Sequence, residues 1–307
     1  MKTVRLCFAA VLMSAASAAI AAPDARDLMI KVDDMTNHSY LSSTRLIKFS
    51  TCRYRVNNGA VACAEKPRNL TFESISKSYP VDGARDNNNK AFDVIIDPAN
   101  DKGTALLSYG YADDKKGSDF WIFLPAIGKV KRVVSVSDGN ESGAVFGSEV
   151  SSEDSDVKKV KDYTYKLLGE EVYRKRPAWK IEMTPTADRR TRSYYGKIIA
   201  WVDKERFIVL KEDLYDRSGR HYKQFSALDF KKFGNAWLVT KASMNNLTSK
   251  RITVWEQTGI ALNVDIEDEF LTQRPLTDFA YRERHLERYR NYLKRTTESP
   301  QNRTEKP

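Results

Sequence analysis

The sequence predicts a mainly β protein, with some α-helix, built on one long antiparallel sheet. About a dozen runs alternate between apolar and polar residues, and short turn sequences such as Asn58-Gly59, Asp82-Gly83 and Ser218-Gly219 separate many of them. No helical segments alternate with these runs, which favours a meander over a parallel sheet. Strand twist and unpaired edges disfavour a flat sheet of this length, so we expect it to curve into a barrel or half-barrel.

One helix is predicted to open the sheet domain, from Asp24 to Met35. Leu28, Val32 and Met35 follow helical spacing, and Asp24 is suited to cap the first turn. The period-two runs then lie near residues 41–56, 60–78, 91–97, 104–111, 119–124, 128–136, 161–168, 178–184, 196–203, 206–215, 220–232, 236–244 and 250–256.

Two segments interrupt this pattern. Residues 135–160 are rich in Ser, Gly, Asp and Glu around the apolar pair Val145-Phe146, which is typical of a lid or of a disordered loop. Asp278 to Lys294 has helical spacing of apolar residues with dense Arg and Glu between them, which predicts a helix packed on the body or a solvated tail. Residues 296–307 are predicted to be disordered. We therefore expect one domain at 23–277 and a basic helix with a tail at 278–307.

The N-terminus has the three parts of a cleavable secretory signal. Lys2 and Arg5 precede an apolar run at 6–20, which ends in small residues before Pro23. The run is shorter than the roughly 20 residues that span a bilayer as a helix, so we expect cleavage near residue 22 and not a membrane anchor. The predicted location is the periplasm.

The net charge of +10 at pH 7 suggests a polyanionic partner, but acidic residues are interleaved with basic ones along most of the chain. Lys129, Lys131 and Arg132 form a basic strand beside Trp121 and Phe123, a combination that can bind nucleic acid. Export argues against nucleic acid, so these cations are predicted to contact a partner or lipid head groups in peripheral membrane contact, or only water.

Cys52 and Cys63 are the two cysteines that remain after signal removal. They flank Asn57-Asn58-Gly59, a strong hairpin-turn sequence, which brings them within the Cα separation that a disulfide needs. An oxidising compartment favours the bridge, and no further metal ligands lie nearby in sequence.

The sequence contains no recognised catalytic motif. His38, His221 and His285 lie far apart, and there is no zinc-protease motif, nucleophile elbow or phosphate-binding glycine loop. A serine–histidine–aspartate site assembled from distant residues is the remaining enzymatic alternative. We expect no enzyme, no cofactor and no metal.

The many aromatic residues on predicted strands favour a core or a ligand cavity. Curved antiparallel sheets of this size commonly enclose an apolar cavity that holds one ligand. In an exported protein an acyl chain fits such a cavity, because each buried CH₂ group contributes about 0.8 kcal/mol to binding.

A set of ordered motifs resembles the outer membrane lipoprotein-sorting family of the LolA-like superfamily, over roughly residues 24–275. The motifs are Asp97-Pro98, Lys102-Gly103-Thr104-Ala105-Leu106-Leu107, Asp119-Phe120-Trp121-Ile122-Phe123-Leu124-Pro125, Gly128-Lys129-Val130-Lys131-Arg132, Phe146-Gly147-Ser148, Asp162-Tyr163, Leu167-Leu168-Gly169-Glu170, Tyr195-Gly196-Lys197 and Trp201-Val202-Asp203.

This resemblance implies an unclosed, LolA/LolB-like β-barrel whose apolar face is covered by helices and loops. The helix at 24–35 and the loop at 135–160 would be cover elements. The cavity and cover residues expected to bind the ligand are Trp121, Phe123, Leu124, Val145, Phe146, Trp179 and Trp201.

The chain departs from the family at the acidic stretch 151–156, at Cys52 and Cys63, and at the C-terminal helix. The arginine that ties cover to barrel in the classical carrier is assigned to no residue by motif.

The leading hypothesis is a non-enzymatic periplasmic carrier or chaperone for lipid or lipoprotein acyl chains. The alternative is an accessory or sensor subunit of a membrane exporter of the resistance-nodulation-division type, on the same scaffold. The C-terminal helix at 278–307 is the feature that distinguishes the two.

Overall fold

The computed structural model describes residues 22–57, 59–113, 116–133 and 143–298. The predicted signal peptide, apart from its last residue, and the tail after residue 298 lie outside the described residues. Within the described part, no helix is long and apolar enough to cross a membrane.

Fourteen strands dominate the fold. They are β1 (Ser42–Asn57), β2 (Ala60–Cys63), β3 (Arg68–Tyr79), β4 (Asn88–Asp97), β5 (Ala105–Gly110), β6 (Asp119–Leu124), β7 (Lys129–Val133), β8 (Tyr163–Tyr173), β9 (Arg176–Pro185), β10 (Tyr195–Asp203), β11 (Val209–Asp216), β12 (His221–Phe233), β13 (Ala236–Asn246) and β14 (Arg251–Leu262). The helices are α1 (Ala25–Asn37), α2 (Ser152–Ser155), α3 (Ala187–Thr191), α4 (Arg274–Thr277) and α5 (Phe279–Glu298).

The strands form one antiparallel sheet in the order β7-β6-β5-β4-β3-β1-β14-β13-β12-β11-β10-β9-β8, with β2 paired to the end of β1. Pairing of β1 with β14 joins the two halves of the chain at the centre of the sheet. Among the described residues the outer strands β7 and β8 do not pair with each other, so the barrel is unclosed, as the sequence predicts.

Side chains alternate between two faces of this sheet, as strand geometry requires. On β5, Leu106 faces one apolar cluster and Leu107 faces another. We call the face under α1 and residues 143–162 the front face, and residues 143–162 the cover segment. The opposite face of β3–β7 is the back face, which the C-terminal segment 264–293 covers.

Helix α1 confirms the predicted N-terminal helix and extends two residues further, to Asn37. The Asp24 carboxylate accepts hydrogen bonds from the backbone N–H groups of Arg26 and Asp27, which otherwise have no partner within the helix. Leu28 and Val32 then pack on the front face of the second half of the sheet.

Two predicted boundaries are wrong. Residues 60–78 are not one strand, because the chain breaks after Cys63 and β3 begins at Arg68. The C-terminal helix continues through Glu298, although residues from 296 onwards were predicted to be disordered. In both cases periodicity gives an element's type more reliably than its ends.

The predicted disulfide is present. Cys52 and Cys63 lie 5.8 Å apart between Cα atoms. In the β1–β2 hairpin Cys63 lies opposite Tyr54, so the bridge runs diagonally across the two strands. It ties the short strand β2 to the long strand β1.

Candidate functional site

The candidate site is the front face of β1, β3 and β4 under the cover segment. Four buried side chains on these strands, Phe49, Leu70, Phe72 and Ile95, form a surface that we call the apolar floor. Period-two alternation places them on one face, and strand pairing sets Phe49 beside Leu70 and Phe72 beside Ile95. Phe49 and Phe72 make an edge-to-face contact with ring centroids 4.9 Å apart.

Phe146 reaches down from the cover segment onto this floor. Its ring lies edge-to-face with Phe72 at a centroid distance of 5.4 Å, and only 8% of the residue is exposed. The backbone of Phe146 is left-handed, with φ of 50°, inside the turn Val145–Gly147. A bulky residue in this conformation is uncommon, and here the turn directs the ring towards the floor. Val145 is half-buried beside the same cluster.

Arg68 joins the cover segment to the sheet next to Phe146. Its Nη1 donates a hydrogen bond of 2.7 Å to the carbonyl oxygen of Phe146, and its Nη2 lies 3.1 Å from the Asp101 carboxylate. A few residues on, Glu149 accepts from Nε of Arg251 at 2.6 Å. This part of the cover is therefore held by one aromatic ring and a few polar contacts.

The following part of the cover segment is anchored more firmly, at α2. The Asp154 carboxylate accepts from Nζ of Lys223 on β12 at 3.0 Å and from the Tyr195 hydroxyl at 2.6 Å, and the Asp154 and Lys223 side chains are both 2% exposed. Burial alone would raise the pKa of Asp154, but the Lys223 ammonium and the Tyr195 hydroxyl outweigh it and lower that pKa. Breaking this pair would leave a buried charge without compensation, so this end of the cover is fixed.

A polar cavity of about 280 Å³ adjoins the apolar floor. The end of α1, the front face of β1, β3 and β4, the cover segment and the region of α3 form its walls. Ile47 belongs both to the floor cluster and to the cavity lining, so the two regions are continuous.

Three potential metal ligands, Asp33, Asp34 and His38, lie together at the end of α1. The Arg85 guanidinium already donates hydrogen bonds to both carboxylates, at 3.0 Å to Asp33 and 2.7 Å to Asp34. A guanidinium fills the position that a metal ion would need, so this cluster fits a salt bridge better than a metal centre.

The structure does not gather the predicted ligand-binding residues into one site. Trp121 and Phe123 lie on the back face, in the cluster under the C-terminal segment. Trp179 faces the front with α1, whereas Trp201 points to the other side of the sheet and donates to the Glu171 carboxylate at 2.7 Å.

The remaining predicted residues lie apart from the polar cavity as well. Val145 and Phe146 cover the apolar floor, and Leu124 is half-buried at the end of β6. The cavity lining includes none of the seven residues predicted to bind the ligand.

The predicted basic strand is β7. Lys129, Lys131 and Arg132 are exposed there, and Arg132 pairs with Asp119 on the neighbouring strand. Successive residues of β7 point to opposite faces, so the three cations do not form a single patch.

Sequence reasoning missed Arg68 and the polar cavity. A lone arginine at the start of a strand carries no signal of its contact with a carbonyl 78 positions later. The residues of the apolar floor were recognisable in the sequence as strand residues, since Phe49, Leu70 and Phe72 are alternating apolar residues on predicted strands. Nothing in the pattern distinguishes them from the other apolar strand residues as members of a site.

A model for a family of uncharacterized proteins matches residues 87–278, which is more than half of the chain. No curated protein matches the chain.

Among solved structures, the chain is similar to an outer membrane lipoprotein-sorting protein domain from Vibrio parahaemolyticus, with 21% identity and a TM-score of 0.70 over 82% of this chain and 98% of that one. A DUF1329 family protein from Desulfovibrio piger has 24% identity and a TM-score of 0.70, over 82% and 97% of the two chains. A LolA superfamily protein from Nitrosomonas europaea has 21% identity and a TM-score of 0.57, over 82% and 98%. The predicted resemblance and the predicted LolA-like unclosed barrel are confirmed, at the level of fold.

Proposed function

This chain belongs to the family of uncharacterized proteins matched at residues 87–278, and we propose that it is a non-enzymatic periplasmic carrier of lipid or lipoprotein acyl chains. The chain would bind an acyl chain between the front face and the cover segment, and transfer it towards the outer membrane. The name of one structural neighbour, an outer membrane lipoprotein-sorting protein domain, supports the proposed cargo and compartment.

The observation that carries this proposal is the position of Phe146 on the apolar floor. Burying one phenylalanine side chain contributes about 1.5–3 kcal/mol, and each buried CH₂ group about 0.8 kcal/mol. Roughly four methylenes on the floor therefore offset the loss of the Phe146 contact. The cover near residue 146 is held mainly by Arg68 and Glu149, so it can lift while α2 stays anchored.

The proposal is tested with Phe146→Ala. Removing the ring removes the competitor for the floor, so we expect the affinity for a fluorescent fatty acid to rise by roughly tenfold. Native mass spectrometry of wild-type protein purified from its native periplasm should find bound lipid.

Phe279→Ala is the matched control, because Phe279 is an exposed aromatic residue that contacts Phe123 on the back face. It should leave fatty-acid affinity unchanged. If neither wild type nor Phe146→Ala takes up the fatty acid, and no lipid copurifies, the carrier proposal is wrong.

The proposed exporter partner depends on the C-terminal helix. Leu286 and Tyr289 of α5 are 1% exposed and pack against the back face of the sheet. Deleting residues 278–307 would therefore expose an apolar cluster and destabilise the fold. Charge reversal at an exposed α5 residue such as Arg284 tests partner binding without removing this packing.

A further inference from the structure

The polar cavity beside the apolar floor carries an excess of positive charge. Two lysines of its described lining, Lys77 and Lys90, point their side chains to the back face, where Lys77 pairs with Asp268 and Lys90 lies over the Tyr109 ring. The lining otherwise has five cations, Arg45, Lys116, Lys159, Arg189 and Arg192, and four carboxylates, Asp33, Asp86, Asp156 and Asp162. Arg85 and Lys161, which do not line the cavity, pair with Asp33 and Asp86 and so neutralise two of these carboxylates. The charge that remains is suited to an anion.

Two of the lining arginines, Arg45 and Arg192, form no salt bridge among the described residues. Arg45 donates to the Tyr40 hydroxyl at 2.6 Å and to the Gln257 side chain at 3.1 Å. Both guanidinium groups can therefore pair with an anionic ligand.

Arg189 gives a second, independent indication. It is only 6% exposed, and its Nη2 lies 3.2 Å from the Glu153 carboxylate. Its Nε has no hydrogen-bond partner anywhere in the described part of the chain. A buried donor without an acceptor is costly, and a ligand oxygen would satisfy it.

Strand register places this cavity directly next to the floor. On the front face the row Ile47–Phe72 is followed, two residues along each strand, by the row Arg45–Ser74 and then by Ser43–Ser76. Two residues of a strand span about 7 Å, so polar and apolar rows are within the length of one amphiphile. Asp93 continues the Arg45–Ser74 row on β4.

The cavity volume of about 280 Å³ lies just below the range of small-ligand sites, about 300–1,000 Å³. Such a volume fits a head group but not a whole lipid, so a bound acyl chain has to lie elsewhere. The adjoining apolar floor supplies that place.

We propose that the polar cavity binds the phosphate or carboxylate head group of an anionic amphiphile whose acyl chain lies on the apolar floor. Arg189 and Arg45 would donate hydrogen bonds to the anion, and Arg192 would add charge. This inference rests on the proposed carrier function and narrows its ligand to amphiphiles with an anionic head.

The test compares probes with one tail and different heads by isothermal titration calorimetry below their micelle concentrations. Dodecyl phosphate should bind the full chain roughly tenfold more tightly than dodecyl maltoside, because charge-assisted hydrogen bonds form only with the phosphate. Arg45→Gln and Arg192→Gln should each reduce that ratio by weakening the binding of dodecyl phosphate. Lys48→Gln, an exposed lysine of β1 that points away from the front face, is the matched control and should change neither affinity.

The outcomes separate the two proposals. Equal affinities for the two amphiphiles, or a Lys48→Gln effect as large as that of Arg192→Gln, would overturn the head-group inference and leave the carrier proposal intact. Inorganic phosphate that binds as tightly as dodecyl phosphate would show that the cavity serves a free anion and that the floor adds nothing. No binding of any amphiphile would refute the carrier proposal and, with it, the head-group inference.

Discussion

The two faces of the sheet are covered in different ways. On the back face Phe92, Leu107 and Phe270 are fully buried, and α5 is clamped by two hydrogen bonds from Arg290 to the Glu73 carboxylate, at 2.5 and 2.7 Å. On the front face the floor is closed by the Phe146 ring and the half-buried Val145, and this part of the cover is held by polar contacts of Arg68 and Glu149. The back face is built as permanent core, whereas the front face has the kind of cover that a ligand can displace.

The largest expected effect is on the stability of the fold, and it differs between the two covers. Phe270 is fully buried between the rings of Phe92 and Tyr289, with centroids 5.2 and 5.1 Å away. We expect Phe270→Ala to lower the free energy of unfolding by about 3–5 kcal/mol, because it leaves a cavity in a well-packed core. Phe146→Ala should cost less than half as much, since the turn that carries it can collapse onto the floor. Urea unfolding of both variants measures the difference, and equal losses would contradict the comparison.

A smaller effect concerns Asp93, a half-buried carboxyl on the front face. Burial raises the pKa of the Asp93 carboxyl to about 6, against the opposing effects of the Ser74 hydrogen bond and the Arg45 charge. Between pH 4 and 6 the folded protein keeps a proton that the unfolded chain has released, so stability falls as the pH rises through this range. Asp93→Asn removes this pH-dependent loss of stability. We expect the free energy of unfolding of the variant to exceed that of wild type by about 1–3 kcal/mol at pH 7.5 and to equal it near pH 4.

Thermal unfolding across this pH range provides the measurement for Asp93. The control is Asp82→Asn, which changes an exposed carboxylate in a turn and should give the same difference from wild type at both pH values. If the stability gained by Asp93→Asn over wild type is larger at pH 4 than at pH 7.5, the pKa of Asp93 is lowered in the folded protein and not raised.

The smallest expected effect tests how loosely the front cover is held. Arg68→Ala removes one hydrogen bond to the Phe146 carbonyl, worth about 1 kcal/mol net. Amide hydrogen exchange at Val145 and Val150 should accelerate roughly fivefold, while amides of α5 keep their protection. Arg132→Ala removes an exposed contact with Asp119 and should change neither region. Uniform acceleration across the chain after Arg68→Ala would mean that the cover does not open independently.

Much of the fold was predictable because it depends on local patterns. Alternation of apolar residues identified most strands, Asp24 marked the start of α1, and the turn between Cys52 and Cys63 placed the disulfide. The break at residues 64–67 was missed, since a short irregular stretch between two strands does not interrupt the apolar pattern clearly.

The candidate site was predictable only in part. Val145 and Phe146 stood out as an apolar pair in a polar loop, and they do lie on the sheet. Trp121 and Trp201 stood out equally, yet they lie on the other side of the sheet. Period two shows that neighbouring residues point to opposite faces, but it does not show which face a cover will occupy.

The sequence by itself determined the strands, the capped first helix, the disulfide and the apolar character of the cover, because each depends on residues close together in the chain. Only the tertiary structure decided which face is front and which is back, since that follows from the packing of α1, the cover segment and α5. It also brought Arg45 and Arg189 to one cavity from distant parts of the chain. A site assembled by strand register across the whole sheet has no local signature, and for that reason it emerged only with the fold.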